Sequence, residues 1–145
     1  MSRKLEDLDS SIFEKASKAH KAMKEDQFLK EKGVETVSII ETRRSLITQM
    51  AYYSRGRMNI DDVKAMYKAA GLYNLSDSEA KTCNTWTLKS KHIEGKAIDL
   101  CPVINGKNAW NADKSIWERM GKIGEENGLT WGGRWEQKDL PHFEI

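Results

Sequence analysis

Two of the three histidines in this 145-residue chain lie in polar stretches that also hold carboxylates. One runs Ser90-Lys91-His92-Ile93-Glu94-Gly95-Lys96-Ala97-Ile98-Asp99, the other Asp139-Leu140-Pro141-His142-Phe143-Glu144. Imidazole nitrogen and carboxylate oxygen are ligands that zinc takes at about 2.0–2.2 Å, and a catalytic zinc keeps three protein ligands with one position open. His92, Asp99 and His142 make such a set. Asp139, three residues before His142, is close enough to serve as a base without being a ligand. The same residues also read as ordinary polar or core side chains, and spacing alone leaves both readings open.

These residues need a scaffold. His92 and Asp99 are seven apart, so on one regular strand they would face opposite ways. Gly95 lets the chain bend between them, which puts His92 in an approach loop and Asp99 on a strand over 96–103. Ala97 would share the face of Asp99 and leave space beside a metal. Pro141 holds the approach to His142 extended.

Around that centre, Ser11-Ile12-Phe13-Glu14 has the form of a capping box. Ile12, Ala16, Ala19 and Met23 then recur at helical spacing, predicting one helix to about Gly33. Residues 34–40 alternate and are β-branched, as a strand requires. Helices are expected over 45–53 and 60–70, the latter opened by Asn59 and closed by Gly71. Residues 73–85 read as a long polar loop. Asn105-Gly106 is a turn signal, and a further helix lies within 110–127. The expectation is an α+β fold with a small antiparallel sheet and flanking helices.

Composition narrows the function classes. The chain is 39% hydrophobic and 32% charged, with 24 Lys+Arg against 22 Asp+Glu, which reads as one soluble globular domain. A net charge of +2 is no nucleic-acid footprint. No apolar run approaches the ~20 residues of a membrane span, and the charged N-terminus does not resemble a signal peptide. Cys83 and Cys101 lack CxxC spacing and read as free thiols. His20 reads as a solvated helix residue, Arg43 and Glu94 as surface charge, and the five tryptophans mostly as core, with Trp135 as a possible cleft wall.

The pattern Ser90-x-His92-x-x-Gly95-x-Ala97-x-Asp99 resembles the zinc signature of the D-Ala-D-Ala carboxypeptidase-like metallopeptidases, which share a fold with lysostaphin-type peptidases and hedgehog N-domains (the LAS group). Trp131-Gly132-Gly133-x-Trp135 followed by Asp139-x-Pro141-His142-Phe143-Glu144 is similar to the second half of that signature. Glu41-Thr42-Arg43-Arg44-Ser45 with Gln49, Tyr53 and Gly56-Arg57 resembles the family's substrate-side segment. The match runs over about 34–145 and looks most like phage endolysins of the L-alanyl-D-glutamate peptidase type. It implies a LAS/hedgehog-like fold, one Zn2+ per chain on His92, Asp99 and His142, Asp139 as acid/base, and Arg44 at the substrate carbonyl or oxyanion. Gln49 and Ser90 would contact the peptide, support a ligand or make a purely structural hydrogen bond, Trp135 would contact substrate, and Glu144 would either orient His142 or be structural.

The activity so implied is hydrolysis of the L-Ala–D-Glu bond of the peptidoglycan stem peptide, causing host lysis. A D-alanyl-D-alanine carboxypeptidase or dipeptidase, and a hedgehog-like zinc-binding interaction module, are the alternatives. The resemblance further implies a monomer of one catalytic domain over 1–145 without a wall-binding domain. It would be made in the host cytoplasm, released by a holin and active on the wall in the periplasm, with no nucleic-acid partner and no membrane-embedded part. The segment 58–85 departs from the family pattern by adding a helix and a loop beside the expected cleft.

Overall fold

The computed structural model describes residues 1–145. Helices α1 (Ser10–Glu25), α2 (Gln27–Glu31), α3 (Leu46–Ser54), α4 (Ile60–Ala69), α5 (Asp77–Lys81) and α6 (Lys114–Glu126) surround one sheet. Its strands are β1 (Thr36–Glu41), β2 (Ala97–Ile104), β3 (Lys107–Asn108), β4 (Thr130–Trp131) and β5 (His142–Glu144). The order is β1-β2-β5-β4, with β3 also on β2, and every pairing is antiparallel. No helix is long and apolar enough to cross a membrane.

Helices α1 and α6 cover one face of the sheet. Ile12, Ala16, Ala19 and Met23 of α1 meet Ile116, Met120 and Ile123 of α6 over Ile98 and Leu100 of β2. Two glycines permit the close approach: a Cβ on Gly121 would stand 2.2 Å from the Trp131 ring, and one on Gly124 would stand 2.4 Å from the Phe143 ring. A smaller cluster of Ala51, Val63, Tyr67, Leu75 and Ala80 joins α3 to α4 and α5. The segment 58–85 is thus a lobe with its own apolar centre, not a bare loop.

Several boundaries differ from the sequence reading. The N-cap of α1 is Asp9, whose carboxylate accepts from the Ser11 N–H at 3.0 Å, while Glu14 pairs with Lys18. The box was misplaced by two residues because Asp9 outcompetes Ser11 as a charged acceptor at the positive helix end. The helix expected to reach Gly33 breaks at Asp26, which leaves helical geometry, caps α2 through the Leu29 N–H and binds Arg119 of α6. Within 73–85, Ser76 and Glu79 form a reciprocal capping box that starts α5. His20 is half-buried, its Nε2 lying 2.8 Å from the Val37 carbonyl. Trp117 and Trp131 are core, whereas Trp86, Trp110 and Trp135 are exposed. Both cysteines are free.

Candidate metal centre and cleft

Strand register assembles the centre. Asp99 on β2 pairs across the ladder with His142 on β5, and on its other side with Glu41 on β1. A register shift between Ile39 and Glu41 bulges β1 beside this row, a device common where a strand must re-aim a side chain. Glu144, two residues beyond His142, shares its face and lies opposite Ala97.

His92 enters from the turn before β2. That turn closes through Gly95, at φ +70°, whose N–H donates to the His92 carbonyl at 3.1 Å. The N-terminal segment presses on it, the Asp9 N–H donating to the Gly95 carbonyl at 3.0 Å. The Arg44 N–H donates to the His92 carbonyl at 2.9 Å and so ties the substrate-side segment to the turn.

Three ligand atoms converge. His92 Nε2 lies 3.2 Å from Asp99 Oδ1, His142 Nδ1 lies 3.1 Å from the same oxygen, and the two nitrogens are 3.3 Å apart. Both imidazoles are buried. Their outward nitrogens have acceptors: His92 Nδ1 faces the Thr42 carbonyl at 2.7 Å and His142 Nε2 faces Glu144 Oε2 at 2.8 Å. Each outward nitrogen must therefore carry the proton, and in the neutral ring the inward nitrogen presents a lone pair. Two lone pairs and a carboxylate oxygen aimed at one point repel each other unless a cation lies between them. A tetrahedral zinc with ligands at ~2.0–2.1 Å has ligand–ligand edges of about 3.3 Å, so the donor set fits zinc in chemistry and in size. The outward hydrogen bonds are the partners that orient metal-binding histidines.

In the absence of a cation, a proton held within the cluster plays the same part. Burial alone would raise the Asp99 carboxyl, but hydrogen bonds and charge from His142 and His92 hold it well below the usual carboxylate range. Burial would lower His142, and its contacts with Asp99 and Glu144 outweigh that and raise it.

Asp139 lines the same cleft and makes no side-chain hydrogen bond. Its side chain is exposed on the cleft side, yet the surrounding walls and the Asp99 carboxylate raise its pKa. Gly132 sets its approach: the Asp139 N–H donates to the Gly132 carbonyl at 3.0 Å. A Cβ on Gly132 would meet the Asp139 carbonyl at 2.5 Å.

Arg44 is nearly buried and stacks 4.8 Å above the Tyr52 ring. Its Nε donates to Glu41 Oε1 at 2.7 Å, its Nη2 to Glu41 Oε2, and its Nη1 to Gln49 Oε1 at 2.6 Å. Three of five N–H groups are engaged and two remain for a ligand. Gln49 is fully buried and stands behind Arg44, its Nε2 donating to the Thr87 carbonyl at 2.7 Å. Ser90 lines the cleft, and its Oγ accepts from the His92 N–H at 3.3 Å. The Trp135 ring lies 5.1 Å from that of His142. Sequence reasoning missed Glu41 as the counter-ion of Arg44, although a carboxylate three residues before an arginine was visible.

Centre and walls form one cavity of about 1110 Å3, bounded on its far side by Tyr67, Tyr73 and Arg55 of the added lobe and its root. Residues 84–145 match the family described as D-alanyl-D-alanine carboxypeptidase. That stretch contains His92, Asp99, Asp139 and His142. Over 62 residues the chain is 42% identical to the L-alanyl-D-glutamate peptidase of Escherichia phage T5, covering 39% of this chain and 45% of that relative. The chain thus spans less than half the length of the curated relative it matches. Across 97% of its own length the fold is similar to the L-Ala D-Glu endopeptidase ChiX of Serratia marcescens, with 82% of that chain covered, a TM-score of 0.57 and 18% identity. The expected α+β fold, a small antiparallel sheet with flanking helices, is the observed one.

Proposed function

We propose that this chain is a zinc-dependent endopeptidase that hydrolyses the L-Ala–D-Glu bond of peptidoglycan stem peptides. The observation that carries the reading is the convergence of His92 Nε2, His142 Nδ1 and Asp99 Oδ1, with both outward nitrogens hydrogen-bonded, in a cleft where Asp139 has no partner. The activities for which the phage T5 and Serratia marcescens proteins are named support the choice of bond.

His92, Asp99 and His142 would hold the ion. A zinc ion in that position supplies Lewis acidity and a water acidified to near neutrality. The Asp139 carboxylate takes the proton from the attacking water and returns it to the departing amine nitrogen. The two unengaged N–H groups of Arg44 donate to the scissile carbonyl oxygen as negative charge develops on it. The Glu41 pair and the Gln49 bond hold the guanidinium ready, so little reorganisation is needed. Trp135 offers its ring as a wall for the peptide beside His142, Ser90 contributes through its hydroxyl at the cleft floor, and Gln49 acts through Arg44.

The cavity extends well past the metal centre on the side of the lobe, which favours cleavage within a peptide over removal of one terminal residue. Action on the wall, release by a holin and a monomeric state belong to the same proposal. Loss of turbidity of purified sacculi tests it. The protein should contain about one zinc per chain, chelation should abolish clearing, and added Zn2+ should restore it. Zinc-loaded protein that clears nothing would instead favour a binding module.

A further inference from the structure

The far wall of the cleft carries polar groups that the chemistry above does not use. Arg55, at the C-terminal end of α3, directs its Nε to two backbone carbonyls, Glu79 at 2.8 Å and Thr82 at 3.2 Å. Its terminal nitrogens make no hydrogen bond and no ion pair. The Glu79 carboxylate, which feels the charge of Arg55, is occupied by the Ser76 N–H, the Ser76 hydroxyl and the Tyr73 hydroxyl. Beside Arg55 on the same wall stands Tyr67, 1% exposed, whose buried hydroxyl lies against the Arg55 guanidinium without completing a well-formed hydrogen bond. An unpartnered buried hydroxyl costs on the order of 1–3 kcal/mol, which is tolerable where a ligand completes the bond.

Charge along the cleft is divided. The acids that line it (Glu41, Asp99, Asp139 and Glu144) all lie at the metal end, and Glu41 is already paired with Arg44. The other lining charges, Arg44, Arg55, Lys89, Lys91 and Lys138, are cationic, and of these Arg55 stands at the root of the lobe, away from the four acids. A guanidinium fixed through one edge offers its other nitrogens to a carboxylate, the geometry for which arginine is best suited.

We infer that Arg55 and Tyr67 form a second subsite that binds a carboxylate of the substrate peptide away from the bond being cut. This rests on the stem-peptide reading and deepens it. A glutamyl residue linked through its side chain keeps its α-carboxylate free, and the following residue can carry another, so either could occupy the site. The preference then is for acidic stem peptides over amidated ones.

The test is binding to zinc-free protein, so that no turnover is required and failure of the peptidase reading does not obscure the result. The probes are L-Ala-γ-D-Glu-L-Lys peptides bearing a free glutamyl α-carboxylate only, a free C-terminal carboxylate only, or neither. Titration is followed by calorimetry on wild type, Arg55→Gln and Tyr67→Phe, each with its melting temperature. One carboxylate peptide should bind wild type roughly tenfold or more tighter than the fully amidated one, a step of ~1.4 kcal/mol. Arg55→Gln should erase that difference by weakening the carboxylate peptide alone. Tyr67→Phe should reduce it by several-fold without lowering the melting temperature, which separates binding from support of the lobe. Whichever single-carboxylate peptide gains identifies the source. Equal binding of all three peptides by wild type, or an undiminished preference in both variants, overturns the subsite.

Discussion

Glu41 and Arg44 should behave as one unit, and breaking the unit from either side should cost far more than removing both. Their side chains are 5% and 11% exposed and joined by two hydrogen bonds. Removing one member of a buried pair leaves the other uncompensated, at about 3–5 kcal/mol, whereas replacing both with apolar groups is often close to neutral. Glu41→Gln keeps the shape but takes away the charge and turns an amide N–H₂ toward the guanidinium. At roughly 2–4 °C per kcal/mol for a chain near this size, a loss of about 3 kcal/mol lowers the melting temperature by roughly 6–12 °C. Arg44→Met should cost a similar amount, and Glu41→Leu with Arg44→Met clearly less than the two single changes summed. Urea unfolding of chelated protein is the assay, because bound metal would add its own linkage to the apparent stability. Every Arg44 variant should lose turnover while retaining zinc, including the double variant that regains stability. Single-variant costs that add to the double-variant cost within about 0.5 kcal/mol would refute the coupling, and zinc loss in Arg44→Met would make Arg44 structural.

Other expectations follow from the same geometry. Gly132→Ala places a methyl 2.5 Å from the Asp139 carbonyl and 3.2 Å from the His142 Cβ, so activity and zinc affinity should both fall, read by sacculus clearing and zinc titration. Asp139→Asn should lower turnover by roughly 10²–10⁴-fold with zinc content unchanged, whereas His142→Ala should lose both. Arg119 holds the Asp26 carboxyl below its ordinary 3.8. Because the folded-state value is the depressed one, this pair's contribution is complete above pH ~4 and is lost as pH falls through the folded value. Thermal melts of Asp26→Asn should accordingly show a weaker pH dependence than wild type on the acid side, and parallel curves would remove the pair from the acid sensitivity.

Much of the centre was readable in advance because its parts are local. Gly95 and the seven-residue spacing anticipated a turn-borne His92 and a strand-borne Asp99, and α4 began after Asn59 as its cap implied. What escaped was either competition between neighbours or contact at long range. Asp9 and Ser11 are both good caps, and pattern alone does not rank them. The break at Asp26 depends on Arg119, ninety-three residues away. The roles of Glu41, Thr42 and Glu144 depend on the register of β1, β2 and β5, which no single segment encodes. The lobe was seen as an addition, but that Tyr67 buries its ring in a second cluster while Arg55 keeps free nitrogens on the cleft required the folded chain.

The most direct test of the central claim is mass spectrometry of purified Gram-negative sacculi digested with the protein, with and without chelator. The account predicts peptides with a new D-Glu amino terminus, freed from L-Ala, in the untreated digest and none once the metal is removed. Release of free D-Ala in place of those peptides, or D-Glu termini that persist undiminished in chelator, would contradict it.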